Sequence, residues 1–302
     1  MQKLIFALCL IRHFSTNLNL SSVNILGTVV WRKAGFSFFP SAPEIKEGST
    51  PSSNTTTDVI FGVLDRDLLN GSGGVFFGLI KETDRWIRPS FLGQTGYTSF
   101  CVDLRHKNDS RMVEGTKINK GERFRTTPRL VLSKQSMIGT GKWRGMNSSF
   151  ENGGDSESED WIPLVRDLKK KYGAPVVHYT VKASSFVVNG LPLLINNNKP
   201  LYVIFDTGVS GMVVSQELFD GRYLQARKNR EKSLWGSVEV SFLTNTGKTI
   251  TLNATKPITT PLGKATPWKG FKGNLIAVGL AFLEGFAMTV DVDDGKILFA
   301  EG

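Results

Sequence analysis

Cysteine and histidine are scarce in this sequence, which has two cysteines and three histidines among 302 residues. Cys9 lies in a segment that we expect to be removed, so Cys101 has no partner within the chain and a disulfide framework is excluded. His13, His106 and His178 are too far apart in the sequence to give the local spacing of metal ligands. We therefore expect neither a metal site nor another cofactor.

Acidic residues are absent from the first 43 positions, and Glu44 is the first acid. The apolar run Leu4–Ile11 directly follows Lys3 in this acid-free stretch. The bias predicts a targeting segment over residues 1–43, which leads either to an organelle (a plastid or mitochondrion) or into the secretory pathway. Because the apolar run has only eight residues, it is too short to cross a bilayer, and we expect no membrane span.

Six Asn-x-Ser/Thr sequons favour a route through the endoplasmic reticulum, where such asparagines accept glycans. The alternative is that they belong to ordinary Asn-rich loops. The sequons begin at Asn19, Asn54, Asn70, Asn108, Asn147 and Asn253.

Positive charge exceeds negative charge, with 37 Lys and Arg against 27 Asp and Glu and a net charge of +10. The densest basic runs, residues 166–171 and 227–232, each include an acid. This mixture is typical of solvated faces, and no nucleic-acid-binding signature accompanies it. We therefore expect no nucleic-acid partner.

Composition divides the first part of the chain into stretches of different character. Residues 44–58 are polar and rich in Ser, Thr and Pro, which predicts a disordered linker. Residues 59–148 alternate short apolar stretches with Gly, Asn and charged turns, which predicts a β-rich region of unknown role. Residues 149–160 are acidic and predict a domain boundary, and residues 161–173 predict a short amphipathic helix. We thus expect 149–173 to be an acidic linker with a short helix.

From residue 174 to residue 302, strand-like runs follow one another with short turns between them. The turns contain Asn-Gly, Asn-Thr-Gly and Asp-Asp-Gly, which supply the backbone conformations that hairpins require. This pattern predicts a compact all-β unit over residues 174–302.

One carboxylate in this unit follows directly after a strand that reads as buried. Residues 201–205 are apolar or aromatic, Asp206, Thr207 and Gly208 come next, and Ser210 follows. An isolated charge at such a position is unfavourable by several kcal/mol unless a partner compensates it.

A second feature lies later in the chain. Ala277 and Val278 precede Gly279, and Phe282 and Leu283 follow it.

Together these features resemble the aspartic peptidases, and specifically a single retropepsin-like lobe, over about residues 176–302. In that family an Asp-Thr-Gly turn presents the catalytic carboxylate, and a later apolar-apolar-Gly strand crosses beneath it. The resemblance implies an all-β protein with a retropepsin-like closed β-barrel lobe at its C-terminus, preceded by a smaller β-rich region. It also implies an endopeptidase that acts on polypeptide substrates.

The chemistry of such a site needs two carboxyl groups. A peptide bond is hydrolysed by water when one carboxylate takes a proton from that water and a second carboxyl donates a proton to the scissile carbonyl. Two carboxyls at this distance cannot both ionise easily, so their apparent pKa values separate. A shared proton would explain how Asp206 tolerates its apolar surroundings.

The resemblance implies one catalytic residue, Asp206, and four supporting residues. Gly208 lets the turn fold tightly and brings a backbone N–H to the carboxylate. Thr207 ties two Asp loops together across their interface, and Ser210 donates a hydrogen bond to the outer carboxylate oxygen. Gly279 belongs to the strand beneath the turn.

The sequence departs from the family pattern in three respects, one of which is that no motif places the flap. Val209 stands where Ser or Ala is more usual, which alters packing and removes no catalytic atom. No second Asp-Thr-Gly or Asp-Ser-Gly occurs in the chain. We therefore expect a homodimer in which each copy supplies one Asp206.

Several alternatives remain at this stage. The hairpin at residues 237–254 reads equally well as a flap over the site or as a surface hairpin. A non-catalytic retropepsin-like protein-binding module accounts for the missing second aspartate. Residues 59–148 could instead form a degenerate second lobe, or they could be removed by self-cleavage within the acidic linker.

Overall fold

The structure is a computed structural model that describes residues 29–38, 55–64, 79, 81, 91–105, 129–139, 160–168, 179–193, 199–262 and 274–301. Most of the predicted targeting segment and the asparagines of five of the six sequons lie outside the described residues.

The described residues are mostly β-strand, as the sequence predicts. The strands are β1 (Val29–Phe38), β2 (Thr55–Leu64), β3 (Ser99–Asp103), β4 (Arg129–Ser133), β5 (Ile162–Pro163), β6 (Thr180–Lys182), β7 (Ser185–Val188), β8 (Leu191–Pro192), β9 (Leu201–Phe205), β10 (Met212–Ser215), β11 (Ser237–Leu243), β12 (Thr249–Thr255), β13 (Thr259–Leu262), β14 (Asn274–Val278), β15 (Phe286–Asp291) and β16 (Lys296–Glu301). The helices are α1 (Phe91–Thr95), α2 (Gln216–Asn229) and α3 (Leu280–Leu283).

The strands form four sheets. The Asp206 sheet has the order β13-β10-β14-β9-β6, the hairpin sheet β12-β11-β7-β8, and the terminal sheet β4-β3-β15-β16-β5, while β1 pairs with β2. Among the described residues none of these sheets closes into a barrel, so the predicted closed β-barrel is not what they form. The reason is that the three larger sheets bury their apolar faces against one another instead of each closing on itself.

Three phenylalanines, one from each larger sheet, meet at the centre of the core. The Phe205 ring centroid lies 5.7 Å from that of Phe242 and 5.2 Å from that of Phe299. Phe205 is 1% exposed and Phe242 is fully buried. Such tilted and edge-on ring pairs add to the stabilisation from burial. The residue before Asp206 is therefore held from two sides.

The terminal sheet joins two regions that composition separates. β3 pairs antiparallel with β15, from Ser99 opposite Asp291 to Asp103 opposite Ala287. β4 extends the sheet beyond β3. The sheet thus includes strands from both sides of the boundary predicted at 149–160. Strands β3 and β4, which come from residues 59–148, belong to this sheet and not to a separate lobe. Composition cannot reveal this pairing, because it depends on contacts between distant strands.

The segment predicted as a short helix begins as a strand. Ile162 and Pro163 form β5 and pair with β16, and Leu164 bridges to Val181. Ile162 is 1% exposed while Pro163 is exposed, which is the alternation of a strand. Proline lacks a backbone donor and is tolerated on an edge strand such as β5.

The linker predicted over residues 44–58 ends earlier than expected, because β2 begins at Thr55. β1 lies within the predicted targeting segment and pairs with β2 along its whole length, from Val29 opposite Leu64 to Phe38 opposite Thr55. Both strands are rich in β-branched and aromatic residues, which favour this conformation.

The sequence pattern did not reveal helix α2, which has 14 residues. Its apolar residues are few and Gly221 interrupts them, so hydrophobic periodicity is weak. A usable signal was the charge order, with Glu217 in the first turn and Arg227 and Lys228 in the last. No helix among the described residues is long and apolar enough to cross a bilayer.

A buried ion pair fastens α2 to the rest of the protein. The Arg222 side chain is fully buried, donates to both carboxylate oxygens of Glu231, and donates to the Leu234 carbonyl at 2.8 Å. Asn189 adds a hydrogen bond to Glu231 at 2.7 Å. These hydrogen bonds, Arg222 foremost, lower the pKa of Glu231 from 4.5 to about 2.

The shared terminal sheet makes residues 174–302 dependent on the chain before them. We expect the fragment 174–302 to lack cooperative unfolding, because β15 and β16 lose their pairing with β3 and β5. The fragment 91–302 should unfold cooperatively in urea, as followed by circular dichroism. A cooperative transition of 174–302 with an equal midpoint would contradict this dependence.

Replacing Glu231→Gln should lower the free energy of unfolding by about 3 kcal/mol near neutral pH, because it leaves the buried Arg222 without a countercharge. The lowered pKa of Glu231 stabilises the fold above pH 4.5, and this stabilisation is lost as the pH falls towards about 2. The difference between variant and parent should therefore shrink across that range in urea titrations.

The matched control is Glu217→Gln, since Glu217 forms an exposed ion pair with Lys199 at 2.8 Å. Its effect should stay below about 1 kcal/mol. A Glu231→Gln effect of equal size at acid and neutral pH would show that the ion pair is not its cause.

Candidate functional site

Asp206 emerges from the end of a central, fully buried strand. All five residues of β9 are buried, and β9 lies between β14 and β6 in the Asp206 sheet. The backbone N–H of Asp206 donates to the Val278 carbonyl at 2.9 Å. The carboxylate position is thereby tied to two neighbouring strands and not to a free loop.

The turn after Asp206 is closed by its own backbone. Gly208 N–H donates to Asp206 Oδ1 at 2.9 Å, and Val209 N–H donates to the Asp206 carbonyl at 3.0 Å. Thr207 is 3% exposed, whereas Gly208 is exposed. The predicted contact between Gly208 and the carboxylate is confirmed.

Gly279 packs directly against this turn. Its N–H donates to the Gly211 carbonyl at 2.8 Å, and the N–H groups of Leu280 and Ala281 donate to the carbonyls of Val209 and Ser210 at 2.8 and 3.0 Å. A Cβ at position 279 would lie 1.9 Å from the Val209 carbonyl oxygen. Only glycine permits this approach of two backbones.

Gly211 is a supporting residue that sequence reasoning missed. A Cβ there would lie 2.0 Å from the Ile258 carbonyl oxygen, which also accepts a hydrogen bond from Met212 N–H at 2.8 Å. The available signal was a second glycine soon after the Asp-Thr-Gly turn. Its partner, Ile258 in the loop before β13, was not predictable from local sequence.

Burial dominates the electrostatics of Asp206. Removal from water raises the pKa of its carboxyl, and the hydrogen bond from Gly208 N–H partly offsets that rise. No other carboxylate of the described residues contributes to the shift. Within the described part of one chain, Asp206 therefore lacks the second acid that a carboxyl dyad needs.

The predicted hydrogen bond from Ser210 to the Asp206 carboxylate is not present among the described residues. Ser210 is exposed, and among the described residues it makes no hydrogen bond to Asp206. The hydroxyl of Thr207 likewise has no hydrogen-bond partner in the described part of the chain, although its residue is buried. Thr207 therefore has unused hydrogen-bonding capacity beside the carboxylate.

The hairpin over residues 237–254 is paired with a neighbouring strand and buries one of its faces in the core. β11 pairs with both β12 and β7, and its inward residues Val238, Val240 and Phe242 are fully buried. At its tip, Asn245 N–H donates to the Trp161 carbonyl at 2.9 Å, and Trp161 N–H donates to Asn245 Oδ1 at 2.8 Å. These contacts favour the surface hairpin over the flap.

Two exposed apolar side chains flank the turn. Ile258 is 73% exposed and Leu280 is 37% exposed. The backbone of Ile258 contacts Gly211, and that of Leu280 is hydrogen-bonded to Val209. Two exposed apolar side chains therefore lie on segments whose backbones contact the turn.

No protein-family model matches this chain, and no curated protein matches it either. Among the described residues, no group of three or more His, Cys, Asp or Glu is placed to hold a metal ion. The geometry around Asp206 is accordingly the basis for a functional proposal.

The close approach at Gly279 predicts that Gly279→Ala lowers the free energy of unfolding by about 3 kcal/mol or more, because the new Cβ must displace the Val209 carbonyl. Urea unfolding measures this. The matched control is Gly221→Ala in α2, where a Cβ meets nothing within 4 Å. That change should be neutral or stabilise by up to about 1 kcal/mol. Equal effects at both positions would contradict the close approach.

Proposed function

We propose that this protein is an aspartic endopeptidase with a retropepsin-like lobe, active as a homodimer that pairs one Asp206 from each copy. The observation that carries the proposal is a half-buried carboxyl with a raised pKa, held by Gly208 at the end of a central strand. Such a perturbed acid in a constrained turn is typical of catalytic sites. Among the described residues no second carboxyl acts on Asp206, which supports a carboxyl from a second copy that shares its proton.

In the proposed reaction, the ionised Asp206 of one copy accepts a proton from a water molecule held between the two carboxyls. The water oxygen attacks the scissile carbonyl carbon while the protonated Asp206 of the other copy donates its proton to the carbonyl oxygen. The resulting diol collapses, the C–N bond breaks, and a carboxyl returns a proton to the leaving nitrogen. Each step moves a proton between named groups, so neither a metal nor a redox cofactor is needed.

The surroundings of the turn suit this chemistry. Thr207, with its unpartnered hydroxyl, would hydrogen-bond to the second turn across the dimer. Gly279 and Gly211 keep the turn rigid, which preserves the separation of the two carboxyls. The exposed side chains of Ile258 and Leu280 would contact apolar residues of a polypeptide substrate.

A non-catalytic binding module remains the second candidate, because the described residues supply no second carboxyl to Asp206. In that case the lone acid would end an unpaired turn, and the apolar residues Ile258 and Leu280 would dock a protein partner. The two candidates differ in whether the chain dimerises and cleaves.

We expect Asp206→Asn to reduce cleavage of a peptide library by the full chain by about 10²–10⁴-fold or more, because the amide can neither accept nor supply the shared proton. The assay runs from acid to neutral pH, with molecular mass followed by light scattering. The matched control is Asp220→Asn, since Asp220 is exposed on the surface of α2 and accepts a hydrogen bond from Gln216 at 2.7 Å. It should leave cleavage unchanged.

Mixing parent and Asp206→Asn subunits tests the shared site directly. If each site needs both aspartates, activity falls with the square of the parent fraction. A linear fall would mean that each chain carries a complete site. A monomer that cleaves no peptide would favour the binding module.

A further inference from the structure

Asn253 lies on the solvent face of an edge strand. β12 is the outer strand of the hairpin sheet, and its register places Asn253 opposite Glu239 of β11. Its neighbours Leu252 and Ala254 are 0% and 6% exposed and face the core. Because side chains alternate along a strand, Asn253 and Thr255 both project outwards, and both are exposed.

These two residues form the ends of a sequon, Asn253-Ala254-Thr255, which has no proline between them. We propose that Asn253 carries an N-linked oligosaccharide. It is the one sequon among the described residues, and the fold leaves both its acceptor amide and its hydroxyl accessible. A sequon whose asparagine pointed into the core could not hold a glycan in the folded protein.

The modification is a glycosyl transfer from a polyprenyl-pyrophosphate oligosaccharide, the donor class that serves such sequons. The bond between sugar C1 and the pyrophosphate oxygen breaks, and a bond between C1 and Asn253 Nδ2 forms. The amide nitrogen loses one proton, and the polyprenyl pyrophosphate leaves with the electron pair. No oxidant or reductant is required.

The surface around Asn253 accommodates a sugar without disturbing the fold. The outer face of β11 and β12 is polar, with a hydrogen bond of 2.9 Å between the hydroxyls of Ser241 and Thr251. The buried face of the same strands is apolar and separate. A glycan here would cover the outer edge of β12, where an exposed strand could otherwise pair with another chain.

The glycan has a consequence for assembly that does not depend on the proposed peptidase activity. An oligosaccharide on Asn253 would hinder a second copy from packing against the outer face of β11 and β12. A second copy must then approach a different surface of the protein.

The test is site-resolved mass spectrometry of the full chain made in eukaryotic cells with its own N-terminal segment. Glycosidase treatment in heavy-oxygen water converts each glycosylated Asn to a labelled Asp. We expect the label at Asn253. Recovery of the peptide with an unmodified, unlabelled Asn253 would overturn the proposal, whether or not other sequons are labelled.

Paired substitutions test whether the glycan depends on the sequon or only on the exposure of the strand. Thr255→Ser keeps the sequon hydroxyl and should retain the glycan, whereas Thr255→Val should lose it, with a matching increase in gel mobility. Thr249→Val is the control, because Thr249 is also exposed on β12 and belongs to no sequon. A glycan at residue 253 that survives Thr255→Val, or that is lost in Thr249→Val, would contradict the assignment.

Discussion

The packing of Phe205 between Phe242 and Phe299 is the contact on which the rest of the arrangement depends. Phe205 belongs to the Asp206 sheet, and its two partners belong to the hairpin sheet and the terminal sheet. The next residue is Asp206, so the side chain that joins three sheets also places the carboxylate. Burying such a ring stabilises a fold by about 2–3 kcal/mol, and this contribution is available only when all three sheets are present.

The turn that bears Asp206 is held by backbone hydrogen bonds and by the hydrogen bond from Gly208 N–H to the Asp206 carboxylate. Gly279 and Gly211 let two chain segments approach so closely that Gly279 N–H donates a hydrogen bond to the Gly211 carbonyl. The carboxyl in this turn is half-buried, and its removal from water raises its pKa, while the hydrogen bond from Gly208 partly offsets that rise. The Asp206 carboxylate is fixed in position, and its ionised form is unfavourable for the stability of the fold. Residues with this combination are typically retained for a functional role.

The terminal sheet and the hairpin sheet restrict how a second copy could complete the site. Strands β3 and β5 already occupy the edges of β15 and β16 within one chain, so a partner cannot take those places without displacing them. A glycan on Asn253 would close the outer edge of β12. The exposed side chains of Ile258 and Leu280 lie on segments whose backbones contact the turn after Asp206, and in the proposal they contact the substrate.

The sequence by itself determined the local features of this protein. Strand alternation and the turn at Asp206 follow from short-range rules of side-chain period and backbone sterics. The need for glycine at Gly279, in contrast, comes from its tertiary contact with the Val209 carbonyl. Only the tertiary structure decided that β3 and β4 join the C-terminal strands, that the hairpin tip is tied to Trp161, and that Arg222 is buried with Glu231. Which strand edges pair and which charged side chains form ion pairs is determined only when the chain folds. Local sequence patterns do not specify these contacts.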